Sequence, residues 1–249
     1  MVNLWFVKFR TYKNTDLRVS EVGFGLWTIS TGWWGNFTEG EAIALMHKAF
    51  DLGITLFDAA DTYGNGLSEE LIAKAFPNQR DEIVIATKVG YDFVHHGEAR
   101  GRGQREIPQD FSPEAITRAT DAALKRLKTD RIDLLQLHNI RMEQVYDDAL
   151  WKTLEKLKSE GKIRYYGIAL GPAIGWLYEA VNCIRERELT SVQHIYNEEQ
   201  LVEFAKAPDT APLTSDDMAK IEELYSANFG LEEEPPKFKG TMELVGAAT

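Results

Sequence analysis

Four side chains of this sequence could do acid–base chemistry together: the carboxylate of Asp58, the phenol of Tyr63, the ammonium of Lys88 and the imidazole of His138. Asp58, Lys88 and His138 each close a short apolar run, and Tyr63 follows Asp58 on the next loop. An acid, a base, a phenol and an imidazole at neighbouring strand ends form a set suited to moving protons at a bound substrate. Taken singly, each has a plain structural reading: a loop cap, a snorkelling lysine, a packed ring, a satisfied core histidine. Other chemistries fit less well. Glycoside hydrolysis needs two carboxylates flanking one bond, ~5 to 9.5 Å apart; Asp58 and Asp61 lie on one side of the mouth, and the fourth strand offers His138-Asn139 instead. Adjacent His95 and His96 point apart in most backbones and make a poor metal site. The single cysteine, Cys183, falls in an amphipathic stretch and reads as a buried structural thiol.

The elements that must position these groups alternate strand and helix, the pattern of a parallel α/β fold. Residues 21–26 form a first expected strand. A Thr38-Glu39-Gly40-Glu41 capping box opens a helix whose apolar positions Ala42, Leu45, Met46, Ala49 and Phe50 share one face, with Gly53 at its end. Strands are expected at 55–58, 83–88, 132–138, 163–170 and 191–196. Helices are expected near 68–76, from Ser112-Pro113 to Lys128, from about Tyr146 to Gly161, and over 174–188. Residues 91–111 read as a long polar loop, its arginines Arg100, Arg102 and Arg105 making the one basic patch. A hairpin around Asn14-Thr15-Asp16, spanning 9–19, would plug the lower mouth of a barrel.

Six β/α units in one composition regime favour a single (β/α) barrel domain over residues 1–249. In such a barrel, function collects at the C-terminal strand ends, here Trp27, Asp58, Lys88, His138, Ala169 and Gln193. The pattern then thins. A helix is expected over 214–227 and a loose tail over 231–249, but no strand is readable after 196, where two more units of ~30 residues each would be needed. The expectation is that residues are missing from the sequence or that the arc completes itself by forming a homo-oligomer. A net charge of −11 argues against nucleic-acid or acidic-membrane partners. No apolar run approaches the ~20 residues of a membrane span; with the lone cysteine this makes a cytoplasmic protein the expectation.

Phe57-Asp58-Ala59-Ala60-Asp61-Thr62-Tyr63-Gly64, Ala86-Thr87-Lys88 and Leu135-Gln136-Leu137-His138 together resemble the aldo-keto reductase superfamily. So do Gly23-Phe24-Gly25-Leu26-Trp27, the Ser68-Glu69 helix start, Val192-Gln193-His194-Ile195-Tyr196-Asn197 and the helix over 214–229, while the segment for strands seven and eight is not recognisable. The resemblance implies an α/β (β/α)8 barrel that reduces aldehydes or ketones to alcohols with NADPH, NADH remaining open. It makes Tyr63 the general acid, Lys88 the cation beside it, Asp58 the partner of Lys88, and His138 the group that orients the carbonyl. A lysine ~4 Å away at an effective dielectric of ~20 would favour the phenolate by roughly 4 kcal/mol, so Tyr63 is expected to shift towards neutrality. Gly25, Trp27, Asp58 and Gln193 would hold the cofactor. Trp27 and Trp33, with Trp34, would wall a small-molecule carbonyl pocket alongside Tyr63 and His138.

One departure stands out. Many members carry Gly-Val-Ser-Asn after the fifth strand, where this sequence has Gly167-Ile168-Ala169-Leu170. With the thin C-terminal end, it motivates a second reading: a weakly active or inactive reductase-like subunit used for binding or redox sensing.

Overall fold

A computed structural model describes residues 7–32, 35–96, 107–171, 178–191 and 220. The chain enters through a hairpin, β1 (Phe9–Thr11) against β2 (Arg18–Ser20), antiparallel with Arg10 opposite Val19. Asn14 takes the left-handed conformation at the turn, φ 60°, which asparagine tolerates better than most residues. Five parallel strands follow in sequence order: β3 (Gly23–Gly25), β4 (Leu56–Asp58), β5 (Val84–Val89), β6 (Ile132–His138) and β7 (Ile163–Ala169). Between them lie α1 (Trp27–Thr31), α2 (Glu39–Asp51), α3 (Leu67–Ala75), α4 (Phe93–His96), α5 (Pro113–Leu127), α6 (Met142–Val145) and α7 (Asp148–Ser159), with α8 (Glu179–Glu186) after β7.

Local chemistry explains the longer helices. Thr38 accepts from the Glu41 N–H while the Glu41 side chain accepts from the Thr38 N–H, so the capping box at α2 is closed in both directions. Ser112 caps α5 ahead of Pro113, and Lys128 ends it at φ 53°. The expected helix from about Tyr146 to Gly161 is α7, and a further short turn, α6, precedes it. Asp147 takes the N–H groups of Ala149 and Leu150 on its own carboxylate and starts α7 afresh, leaving α6 as a separate turn. The expected loop over 91–111 also carries structure: α4, and an antiparallel bridge between Tyr91 and Gln109.

The sheet has two apolar faces, because successive side chains along a strand point to opposite sides. Phe57, Ile85, Leu135 and Ile168 pack outward against Met46, Leu71, Ile116 and Leu154 of the helices. Leu56, Val84, Ala86 and Leu134 face inward, where Leu17 and Val19 of the hairpin pack on them. The hairpin thus closes the lower end of the arc. At the far side the Ile168 N–H bonds the Ser191 carbonyl and the Thr190 N–H bonds that of Tyr166, so the chain lies against β7 where the sixth strand is expected. Residues 192–196, the helix over 214–227 apart from residue 220, and the tail over 231–249 fall outside the described residues. Among the described residues no helix is long and apolar enough to cross a membrane.

Candidate active site

Register and alternation bring the polar groups together. Asp58 pairs with Ala86 and Lys88 with Gln136; since Ala86 and Leu134 face inward, Asp58, Lys88, Gln136 and His138 do as well. Each stands at the C-terminal end of its strand. The Lys88 ammonium is buried, 2.6 Å from Asp58 Oδ2 and 2.8 Å from the Ala59 carbonyl. The other Asp58 oxygen accepts from Gln136 Nε2 at 3.2 Å. Gln136 was missed in the sequence, although its place two residues before His138 on one strand puts both on the same face.

Tyr63 reaches this cluster from the turn between β4 and α3. Gly64, Asn65 and Gly66 all take positive φ (62°, 55° and 95°), carrying the chain from Tyr63 into α3 over three residues. The half-buried Tyr63 ring has its centroid 4.8 Å from Lys88 Nζ. Trp27, the first residue of α1, stands 6.4 Å away, and His138 meets the Tyr63 ring edge-on at 5.9 Å and 80°. Asp58, Tyr63, Lys88, His138 and Trp27 therefore share one site. Gln193, Trp33 and Trp34 lie outside the described residues.

Behind the site is a second polar layer. Glu69, fully buried at the start of α3, accepts from Thr87 Oγ1 at 2.6 Å and pairs with Arg126 Nε at 2.6 Å. Burial raises the Glu69 carboxyl above its ordinary value, offset in part by Arg126 and the Thr87 hydroxyl.

The electrostatics correct one expectation. Burial raises the Tyr63 phenol above its ordinary value, and Lys88 only offsets part of that rise. Desolvation of the phenolate outweighs the attraction to Lys88, whose charge Asp58 already neutralises at 2.6 Å. Burial pulls the Lys88 ammonium down, but Asp58 and Tyr63 more than reverse this, so it stays charged above the ordinary lysine value. The site therefore holds a protonated phenol against a charged lysine.

The remaining candidates have quiet surroundings. Cys183 is buried and its thiol is pushed up to about 11 by that burial, as a structural thiol would be. His95 pairs with Asp92 at 2.8 Å on the surface, and no metal-ligating cluster occurs among the described residues. The departure after β7 is apolar: Ala169 and Leu170 are both buried. At the end of β3, Gly25 leaves open space where a Cβ would project, which fits a flat ring laid across the strand ends beside Trp27.

Comparison with known proteins converges on one family. The family model described as "Aldo/keto reductase family" matches residues 21–197. The uncharacterized oxidoreductase YqkF of Bacillus subtilis is 37% identical over 160 residues, covering 64% of this chain and 48% of that protein. The L-galactose dehydrogenase of Arabidopsis thaliana is 34% identical over 168 residues, covering 65% and 48%. The chain thus spans about half the length of these curated relatives. Among solved structures, the holo form of aldo-keto reductase AKR11C1 from Bacillus halodurans aligns with a TM-score of 0.61 at 28% identity, covering 92% of this chain and 79% of that one. The strand arc is accordingly part of that family's α/β barrel fold. With most of the sequence matched and the polar strand ends in the order the motifs required, the chain belongs to the aldo/keto reductase family.

Proposed function

We propose that the site reduces the carbonyl of a small aldehyde or ketone to an alcohol, with NADPH as the cofactor and Tyr63 as the general acid. Bound NADPH would supply the hydride to the carbonyl carbon. Gly25, Trp27 and Asp58 would lie against its nicotinamide end, and Gln193 is the proposed partner of the carboxamide. Tyr63 gives its phenol proton to the carbonyl oxygen, and the Lys88 ammonium holds the tyrosinate left behind. Asp58 keeps Lys88 in place through the 2.6 Å contact. A phenol raised by burial remains protonated until it is needed, and a forming alkoxide is a much stronger base than a phenolate, so the transfer runs downhill. His138 donates to or orients the same oxygen, and Trp27 with Trp33 walls the substrate.

The observation that carries this reading is one buried ammonium set 2.6 Å from Asp58 Oδ2 and 4.8 Å from the centroid of the Tyr63 ring. NADPH is titrated against the chain by quenching of tryptophan fluorescence, with NADH as competitor, and carbonyl turnover follows. Tyr63→Phe is expected to lower turnover by about 10²- to 10⁴-fold, the usual contribution of a positioned acid, while NADPH still binds. Retained turnover in Tyr63→Phe would remove the mechanism. Failure of the unmodified chain to bind NADPH would favour a reductase-like subunit used for binding.

A further inference from the structure

The segment after β5 folds back over the end of β6. Tyr91 and Gln109 bridge in antiparallel fashion, the Asp92 N–H donates to the Pro108 carbonyl at 2.9 Å, and the Asp110 N–H donates to the Gly90 carbonyl at 2.9 Å. This fold-back carries the Gln109 carboxamide onto the last residue of β6 and the one beyond it. Gln109 Nε2 donates to the carbonyls of His138 at 2.9 Å and Asn139 at 3.2 Å. Asn139 is buried in the left-handed conformation, φ 57°, and its Nδ2 donates to the Tyr91 hydroxyl at 2.8 Å. The Tyr91 ring then meets the His138 imidazole edge-on, 5.0 Å between centroids at 81°.

We propose that Gln109, Asn139 and Tyr91 form a clamp that fixes the imidazole of His138, and that all three are positioning residues for carbonyl reduction. The proposal rests on the reductase reading for its kinetic consequence, though not for its structural one. His138 is the last residue of β6, where the ladder to β7 ends with the Asn139 N–H on the Ala169 carbonyl at 2.7 Å. Gln109 bonds the peptide carbonyl on either side of the turn at that point. Asn139 ties the same turn to Tyr91, and Tyr91 returns to the ring of His138. Backbone and side chain of His138 are thus held by one closed circuit of contacts. A group that orients a carbonyl must be held closely, because a misplacement of about 1 Å can cost on the order of 10²-fold in rate.

Two substitutions separate positioning from plain stability. Gln109→Met keeps the length of the side chain and removes its donor; Tyr91→Leu removes the ring edge, with Tyr91→Phe as the conservative variant that retains it. The ring-nitrogen NMR signals of His138 in the full chain are assigned by their loss in His138→Gln. Gln109→Met and Tyr91→Leu are expected to shift or broaden those signals. They should also lower kcat by roughly 10- to 100-fold with KM for NADPH unchanged, and Tyr91→Phe should recover most of kcat. Unchanged His138 signals in folded Gln109→Met and Tyr91→Leu proteins would overturn the clamp, whatever the activity. If Gln109→Met or Tyr91→Leu fails to fold, the signals of Tyr91→Phe decide: a small displacement with the ring contact kept supports the clamp, and none at all removes it. A chain that reduces no carbonyl but shows the expected changes at His138 would refute the reductase reading and keep the clamp.

Discussion

Asp61 lies three residues past Asp58 and has the opposite electrostatic situation. Asp58 meets a lysine and a glutamine, whereas Asp61 is fully buried and neither of its carboxyl oxygens has a hydrogen-bond partner among the described residues. Burial raises its carboxyl well above the ordinary range, and the nearby carboxylate of Glu69 adds to this. Arg126 and Lys88 act against it, but each is already engaged, Arg126 with Glu69 and Lys88 with Asp58. A neutral Asp61 suits the proposed chemistry, since another negative charge here would oppose formation of tyrosinate at Tyr63. The linkage has a definite sign. The folded state binds the Asp61 proton more tightly than the unfolded chain, whose value is near ~3.9, so stability falls as pH rises from that value through the folded one. Asp61→Asn should therefore raise the melting temperature relative to the unmodified chain at about pH 8 and lose that advantage near about pH 4. A thermal melt series would settle this; a gap that does not shrink in acid would show that Asp61 is ionised when folded.

The turn between β4 and α3 is the element on which the site depends most. It sets Tyr63 against Lys88, and Gly64 makes its geometry possible. Gly64 has φ 62°, and a Cβ added there would stand 2.4 Å from the Ser30 carbonyl oxygen of α1 and 2.9 Å from Leu67 Cβ. Left-handed backbone already disfavours alanine by roughly 1–2 kcal/mol, and the clash with a backbone oxygen adds to it. Gly64→Ala is expected to cost on the order of 2 kcal/mol or more in urea denaturation, whereas Gly25→Ala, with open space around the new methyl, should leave the midpoint nearly unmoved. Equal effects would mean that the turn relaxes freely and does not hold Tyr63. This turn also marks where sequence reading stops. The strand boundaries foretold that Asp58, Lys88 and His138 would stand together at C-terminal strand ends. Capping chemistry foretold α2 and α5. Helices α1 and α4, of five and four residues, are too short to show a period. The Gln109–Asn139–Tyr91 contacts join residues whose partners are set by a loop path, and nothing in the sequence around Asp61 shows that it is buried. The lowered Tyr63 expected from Lys88 failed because charge is legible in a sequence and desolvation is not.

At the scale of the molecule, the two ends of the strand arc divide the work. The C-terminal ends carry the site, and the N-terminal ends carry an ion network that holds the arc to its hairpin, as expected where stability collects at the lower face of a barrel. Asp133 of β6 is its centre: buried, it accepts from the Ile85 N–H of β5 at 2.9 Å, from Arg80 at 2.8 Å and from Arg164 of β7 at 2.9 Å. Arg164 continues to Asp16 in the hairpin turn at 2.8 Å, and Tyr165 donates to the same carboxylate at 2.7 Å. The two branches differ in weight. Asp16 is exposed, and an exposed pair contributes ~0–1 kcal/mol. Asp133 neutralises two arginines at once, so its loss leaves partly buried charge uncompensated. Breaking a fully buried pair costs roughly 3–5 kcal/mol; Arg80 also donates to Thr129 and to the carbonyls of Ile83 and Arg131, which keeps it satisfied as a donor and reduces that figure. Asp133→Asn retains an acceptor for Ile85 while removing the charge, and should cost about 2 kcal/mol in urea denaturation, against less than about 0.5 kcal/mol for Asp16→Asn. Moderate salt should narrow only the Asp16 difference, because the buried charges are screened far less. Equal costs for the two variants would show that the hairpin, and not the strand-to-strand bridge, is what the network secures.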